Sequence, residues 1–384
     1  MKIETILAHA GLCTDQITGA ISTPIYQTAT FRHPAVGVST GYDYSRTINP
    51  TRQALEKAIA DLEKGDRGFA FASGMAAISA VLMLFSSGDH LIVSDDLYGG
   101  TYRIFEKIFK QLGLAVTYAD TSNAGLVREA VIPGRTRALF IETPSNPLMK
   151  ITDLEEIMAL TRSNGLLTIV DNTFMTPCLQ RPLEFGVDIV VHSGSKYLGG
   201  HNDVLAGTVV TRSPELSDKI GFIQNSTGGV LGPLDSWLVI RGLKTLALRI
   251  ERQQENAQKI AAWLAQNSHV KEVYYPGLPA HPGHRTHARQ SSGFGAMLSF
   301  RVQDAAWAEK VINRCKLIIF AESLGGVETL ITYPVRQTHG DIPAEIREKI
   351  GVTDDLLRLS VGIEHVEDLI EDLEQAIETQ EFGP

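Results

Sequence analysis

The sequence predicts an α/β protein with a larger domain on a mainly parallel sheet, a smaller C-terminal α/β domain and an extended N-terminal arm. Three observations carry this expectation. From about Thr51 to about Arg241, short apolar runs alternate with helix-like stretches, the pattern of parallel strands covered on both faces. Around Gly242 that pattern gives way to a long polar helix and then a Pro/Gly-rich stretch, Tyr275 to Gly283. The first segment, up to about Arg46, has no clear periodicity and carries Thr23-Pro24-Ile25-Tyr26, which reads as extended chain of the kind that packs on a neighbouring subunit. The expected divisions are therefore 1–46 for the arm, 47–242 for the larger domain and 243–384 for the C-terminal domain.

Taken in order, the strand candidates of the larger domain are Gly68 to Ala72, His90 to Ser94, Leu114 to Tyr118, Arg137 to Glu142, Leu166 to Val170, Val187 to Val191 and Leu205 to Thr211. Each is a short apolar run of strand length, and helical patterns lie between most of them. The best-marked helix begins at Thr152, where Thr152-Asp153-Leu154-Glu155 reads as a capping box ahead of Ile157 and Leu160. The polar helix runs from Leu246 to Asn267; beyond it Ala296 to Val302, Leu317 to Phe320 and Leu357 to Val361 read as strands, and His365 to Thr379 as a closing amphipathic helix.

The 384 residues suit two domains, and 43% hydrophobic with 21% charged residues is ordinary for a globular chain with a large core. A formal charge of −9 argues against nucleic acid as a partner. Cys13, Cys178 and Cys315 are few, odd in number and far apart, which fits a reducing compartment. Met1-Lys2-Ile3-Glu4-Thr5 lacks an apolar leader core and no run approaches the length that spans a bilayer, so a cytoplasmic protein with no membrane partner is expected.

The residues that carry chemistry fall at strand ends, where open α/β sheets bind ligands. The run Val187-Asp188-Ile189-Val190-Val191-His192-Ser193-Gly194-Ser195-Lys196-Tyr197 ends in hydroxyls and a lysine, and Ile169-Val170-Asp171 ends in a carboxylate. An amine is the side chain that condenses reversibly with an aldehyde, so Lys196 would carry pyridoxal phosphate and Asp171 would keep the pyridine nitrogen protonated. A turn lysine and a capping aspartate are the plainer reading of the same pair. Ser73, Gly74 and Met75 open an apolar helix after a strand, so the hydroxyl and the two amides suit a phosphate, or else Ser73 is only an N-cap. Ser193 and Ser195 would add phosphate hydrogen bonds, or make turns. Tyr98 before Gly99-Gly100 suits stacking on the ring, or anchors a loop, and Asn146 suits a contact with the cofactor phenolic oxygen, or marks an Asn-Pro turn. Arg358 interrupts an apolar strand; its planar guanidinium suits an amino-acid carboxylate, and an edge-strand arginine facing water is the alternative. His281, His284 and His287 lie in a Pro/Gly setting without nearby carboxylates or cysteines, so a surface loop is expected and no metal.

Together these residues resemble the cysteine/methionine-metabolism family of pyridoxal-phosphate enzymes, which includes the cystathionine γ-synthases, cystathionine γ- and β-lyases and methionine γ-lyases. The matching motifs are Tyr44-Ser45-Arg46 with Asn49-Pro50-Thr51-Arg52, Ser73-Gly74-Met75, Tyr98-Gly99-Gly100, Val170-Asp171-Asn172-Thr173, His192-Ser193 to Lys196-Tyr197, Ser323-Leu324-Gly325-Gly326 and Arg358-Leu359-Ser360-Val361-Gly362. They run in family order along nearly the whole chain. The resemblance implies fold type I, the aspartate-aminotransferase-like fold, and a homotetramer built from two dimers. It implies that Tyr44 and Arg46 reach the phosphate of the neighbouring subunit's cofactor, so that the active site is shared across the dimer. It further implies that Tyr98 stacks on the ring and assists proton transfer, that Thr173 supports the cofactor, that Asn146 contacts its oxygen, and that Arg358 with Ser323 holds the substrate carboxylate. Ser195 stands where threonine is usual and Ile48 where many members have glycine; the first keeps the hydroxyl, the second bears on the turn of the arm or the substrate entrance.

The same resemblance bears on the reaction. Gly100 stands where methionine γ-lyases tend to carry cysteine. Glu328 resembles the acidic residue that meets the distal ammonium of cystathionine in γ-lyases and γ-synthases, although bacterial β-lyases also carry it. The segment Gln224 to Pro233 looks most like bacterial cystathionine γ-lyases. A carbon–sulfur lyase of transsulfuration acting on cystathionine by γ-elimination is the expectation, with β-lyase and then γ-synthase as alternatives. A nicotinamide dehydrogenase would be doubly wound too, but no Gly-x-Gly-x-x-Gly follows a strand. A non-catalytic scaffold would not need Lys196.

Overall fold

Strands that are apolar on both faces must be covered on both faces, and the computed structural model, which describes residues 1–12, 15 and 17–378, shows how this chain does it. Its strands are β1 (Arg67–Phe71), β2 (His90–Ser94), β3 (Ala115–Ala119), β4 (Thr136–Glu142), β5 (Leu167–Asp171), β6 (Ile189–Ser193), β7 (Gly207–Thr211), β8 (Glu272–Tyr274), β9 (Met297–Arg301), β10 (Ile319–Phe320), β11 (Leu330–Thr332) and β12 (Leu356–Ser360). The chain divides into two compact units, Met1–Ser86 with Leu167–Ala247 and Ser87–Leu166 with Leu248–Pro384. The boundaries expected from the sequence mark changes of pattern along the chain; the units follow which segments pack together. Within the second unit, for example, the Ser299 hydroxyl donates to the Pro147 carbonyl at 2.7 Å and the Leu154 amide to Gln290 Oε1 at 3.1 Å.

In the first unit the strands lie in the order β1-β7-β6-β5. β5 and β6 are parallel, with Asp171 opposite Val191, and β7 is antiparallel to both β6 and β1. The helix Pro50–Glu63 covers this sheet through buried Leu55, Ile59 and Leu62, one face at helical spacing. It starts where it does because Asn49 Oδ1 accepts from the Thr51 and Arg52 amides and Pro50 fills the first turn. Before it, the described part of the arm is made of turns, bends and the isolated bridges Thr30–Tyr44 and Ala35–Val38, and Ile3–Ala8 is a short helix that buries Leu7.

The second unit holds the parallel strands β4-β2-β3 and a five-stranded sheet in the order β10-β11-β12-β9-β8, antiparallel except between β10 and β11. Helices Ala305–Arg314 and Val366–Ile377 cover the five-stranded sheet, the latter burying Leu369, Leu373 and Ala376. Two details differ from expectation. The helix Leu154–Ser163 is capped by Asp153, whose carboxylate accepts from the Glu155 and Glu156 amides, because the Thr152 hydroxyl is already paired with Thr121 at 2.8 Å. The histidine-rich stretch is not a surface loop: His284–Gln290 is a helix, His287 is fully buried, and both His284 and His287 pack on the ring of Phe294. Burial pushes the His287 imidazole down to about 3, so it is a neutral core side chain. Cys13 and the expected helix end Thr379 lie outside the described residues. No helix among the described residues is long and apolar enough to cross a membrane.

Candidate active site

Each unit carries its own cluster of the expected residues. In the first, β5 and β6 run side by side and end in Asp171 and Ser193, which Thr173 ties together. The Thr173 hydroxyl donates to Asp171 Oδ1 at 2.5 Å, the Thr173 amide donates to the same oxygen at 3.0 Å, and the Ser193 amide donates to Thr173 Oγ1 at 2.8 Å. This fixes a carboxylate at the strand end with its second oxygen left for another donor. Burial raises the Asp171 carboxyl above the ordinary carboxylate range, against the Thr173 hydrogen bonds and the charge of His192. A cation beside it would oppose that shift, as a protonated ring nitrogen would.

Lys196 follows in the turn after β6, where its amide donates to the Ser193 carbonyl at 3.2 Å and its carbonyl accepts from the Gly200 amide at 2.7 Å. Its side chain is partly buried. The helix Gly74–Leu82 points its start at the same place: the position a Gly74 Cβ would take is 3.1 Å from Ser193 Cβ and Oγ, and a Cβ on Gly207 would sit 2.1 Å from the Ser73 carbonyl oxygen. Only glycine permits that approach of β7 to the loop. Ser73 caps the helix by accepting from the Ala76 amide at 3.1 Å, which leaves the Gly74 and Met75 amides without an intrahelical acceptor and facing an electropositive helix start. Ser195 also clamps the turn that carries Lys196: its Oγ accepts from the Ala206 amide at 2.9 Å and lies 3.3 Å from the Ala206 carbonyl.

The arm residues Tyr44 and Arg46 also belong to the first unit and are exposed, with the Arg46 guanidinium 5.6 Å from the centre of the Tyr44 ring. Buried Arg52 holds them: its guanidinium donates to the carbonyls of Ser45 at 2.6 Å, Arg46 at 3.1 Å and Thr47 at 3.2 Å. Arm and Gly228–Pro233 segment line one cavity of about 470 Å³, so the stretch that resembles bacterial γ-lyases sits beside Tyr44 and Arg46.

In the second unit the centre is Arg358, on β12 and 1% exposed. It donates to Asn146 Oδ1 at 2.9 Å, to the Ser323 carbonyl at 3.1 Å and to Thr332 Oγ1 at 3.2 Å. The edge-strand alternative is thereby removed, since β12 lies between β11 and β9. Ser323 is held in the left-handed region, φ 96°, a conformation a serine keeps only when its surroundings impose it. Tyr98, 39% exposed, starts the helix Gly99–Ile104 and donates its amide to Glu142 Oε2 at 2.9 Å. Glu328 is exposed on the segment that follows Ser323.

Three contributors escaped the sequence reading. Glu63 Oε1 lies 2.7 Å from His192 Nε2 and accepts from Asn172 Nδ2 at 3.0 Å, a fully buried brace behind the ends of β5 and β6. Arg52 was legible only as part of the Asn49-Pro50-Thr51-Arg52 motif. His339, in a polar stretch with no periodicity, turns out to be completely buried.

The model of the family described as Cys/Met metabolism PLP-dependent enzyme matches residues 4–378. Cystathionine gamma-lyase of Bacillus subtilis is 53% identical over 378 residues, 98% of this chain and 100% of that protein. Cystathionine beta-lyase of Lactococcus lactis subsp. cremoris is 52% identical over 377 residues, 98% and 99% of the two chains. Cystathionine gamma-synthase of Haemophilus influenzae is 52% identical over 375 residues, 97% of each. Among solved structures, cystathionine gamma-lyase from Lactobacillus plantarum complexed with L-serine is 48% identical with a TM-score of 0.95, and cystathionine gamma synthase from Xanthomonas oryzae pv. oryzae in complex with cystathionine is 42% identical with a TM-score of 0.96; each match covers 98% of both chains. The fold is fold type I, the cofactor is pyridoxal phosphate, and the chain belongs to the family of pyridoxal-phosphate-dependent enzymes of cysteine and methionine metabolism.

Proposed function

We propose that this enzyme is a cystathionine γ-lyase, which converts L-cystathionine to L-cysteine, 2-oxobutyrate and ammonia. The observation that carries the chemistry is the chain of contacts Asp171–Thr173–Ser193 at the ends of two parallel strands, one turn before Lys196. These residues fit the cofactor: a half-buried carboxylate whose raised pKa a ring cation would offset, a lysine in the adjoining turn, and helix amides left without intrahelical acceptors. Bound pyridoxal phosphate supplies an electron sink for a carbanion at the substrate Cα. In this reading the Lys196 amine would hold the cofactor and would serve as the base for the substrate Cα proton. Asp171 would keep the ring nitrogen protonated, Thr173 would hold Asp171, Ser195 would hold the lysine turn, and Ser73, Gly74, Met75, Ser193 and Ser195 would receive the phosphate. Tyr98 would stack on the ring, Asn146 would meet its oxygen, and Arg358 with Ser323 would take the substrate carboxylate. Tyr44 and Arg46 serve the neighbouring subunit of a homotetramer.

γ-Elimination is supported by Glu328, an exposed carboxylate suited to the distal ammonium of a long diamino substrate, and by the 224–233 segment beside the arm. Relatives named for β-lyase and γ-synthase activity are equally similar, so β-elimination is the second reading. Product analysis on L-cystathionine decides: cysteine with 2-oxobutyrate is expected, homocysteine with pyruvate would establish β-lyase, and net synthesis from cysteine and an O-acylhomoserine without cleavage would establish γ-synthase. A visible cofactor band should be lost in Lys196→Ala, and its persistence there would remove Lys196 from its role.

A further inference from the structure

One N–H in the second unit serves two loops at once. The His339 side chain is 0% exposed, and its Nε2 lies 3.1 Å from the Leu97 carbonyl oxygen and 3.0 Å from the Asn146 carbonyl oxygen. Carbonyl oxygens only accept, so the proton is on Nε2 and is shared between them; Nδ1, 2.8 Å from Thr338 Oγ1, accepts from that hydroxyl. The ring is a neutral imidazole: burial and the nearby Arg358 charge, with Arg347 adding to it, push it down to about 4. Leu97 immediately precedes Tyr98, and the Tyr98–Gly99 turn is seated on the same segment, since a Cβ on Gly99 would stand 2.0 Å from the Thr338 carbonyl oxygen. Asn146 is the residue whose side chain accepts from Arg358.

We propose that His339 is a positioning residue that locks the Tyr98 loop to the Asn146–Arg358 pair, so that the ring-stacking tyrosine and the carboxylate-binding arginine keep one fixed spacing. The roles of Tyr98 and Arg358 in this statement rest on the function proposed above; the lock itself does not. A histidine suits the task because its ring is rigid, its donor reaches two acceptors, and Thr338 fixes the tautomer. No charge is needed, and beside Arg358 a charge would be opposed.

Three variants separate this role from simple packing. Gln places an N–H near the Nε2 position, Asn places one near Nδ1 and cannot reach the two carbonyls, and Leu fills the space without a donor. Hydrogen exchange on the cofactor-free protein reads the lock directly through the Tyr98 amide, which donates to Glu142, and the Leu148 amide, which donates to Asp96. His339→Leu and His339→Asn should speed exchange in both segments by on the order of tenfold, and His339→Gln should stay near the wild type. In the loaded enzyme the first two should raise KM through Arg358 and lower kcat through Tyr98, each on the order of tenfold, with rescue by Gln. If Leu does not fold, the Gln–Asn contrast carries the test. Equal behaviour of Gln and Asn, or exchange altered in only one of the two segments, would overturn the lock. A wild type that takes up no pyridoxal phosphate would instead overturn the proposed function and leave the exchange result standing.

Discussion

Arg358→Leu tests the role proposed for this arginine, taking the substrate α-carboxylate. The guanidinium is 1% exposed and spends three N–H groups on Asn146, Ser323 and Thr332, at 2.9, 3.1 and 3.2 Å. Those bonds hold the planar fork in place before any substrate arrives, so its pairing with a carboxylate costs little further ordering. Truncating one partner of a desolvated charge pair costs roughly 2–5 kcal/mol. At about 1.4 kcal/mol per tenfold, kcat/KM should fall roughly thirty- to several-thousand-fold, mostly through KM. Arg358→Lys keeps the charge and loses the fork, so it should fall between. A cycle isolates the term: the inhibition constants of an unreactive L-amino acid and of its α-carboxamide are measured on both enzymes. The wild type should prefer the acid by the factor above, and Arg358→Leu should bind both alike with its visible cofactor band intact. A variant that still prefers the acid by the wild-type factor would refute the reasoning, and loss of the band would show that the arginine serves the cofactor instead.

Two further outcomes follow from the buried charges. Arg52→Leu deprives the Ser45, Arg46 and Thr47 carbonyls of their donor and leaves Glu56, 3.4 Å from Arg52 Nε, uncompensated; a cost of roughly 3–5 kcal/mol is expected. Thermal unfolding should drop by roughly 5–10 °C with weaker cofactor retention, and an unchanged melt would show that the arm is held otherwise. His287 has its folded pKa depressed to about 3 from 6.5, by burial first and by the charge of His281 next. The unfolded chain therefore binds the extra proton between these values, so stability is fully present above about pH 6.5 and declines as pH falls toward about 3, by up to a few kcal/mol. In His287→Phe that decline should be shallower, measured by urea unfolding at pH 7 and pH 5; an identical slope in both proteins would exclude His287 as a source of acid sensitivity.

The parts of this molecule that were legible in the sequence are those whose causes are local. β5 and β6 announce themselves because a strand buried on both faces must be apolar throughout, so Asp171 and Ser193 stand out as the polar residues that end them. The helix after Ser73 is visible for the same reason, since its cap lies next to its apolar run. Strands β8 and β11 have three residues each and owe their existence to partners across the sheet, Arg301 to Ser299 and Ser360 to Arg358, so no window of sequence contains their cause. Thr152 was misread as a cap because its competing partner, Thr121, is 31 residues away. His339 is the extreme case: its acceptors lie 242 and 193 residues upstream, and a histidine between polar neighbours carries no trace of them. Arg358 shows why a buried charge is nonetheless visible in the sequence. A permanently charged side chain in an apolar strand is costly unless something holds it, and that cost is written at a single position whatever the distance to its partners. A charge that interrupts an apolar run breaks the local pattern and can be seen, whereas a neutral group that braces other loops obeys it or hides, which is why Arg358 was named from sequence and the histidine that joins Asn146 to the Tyr98 loop was not.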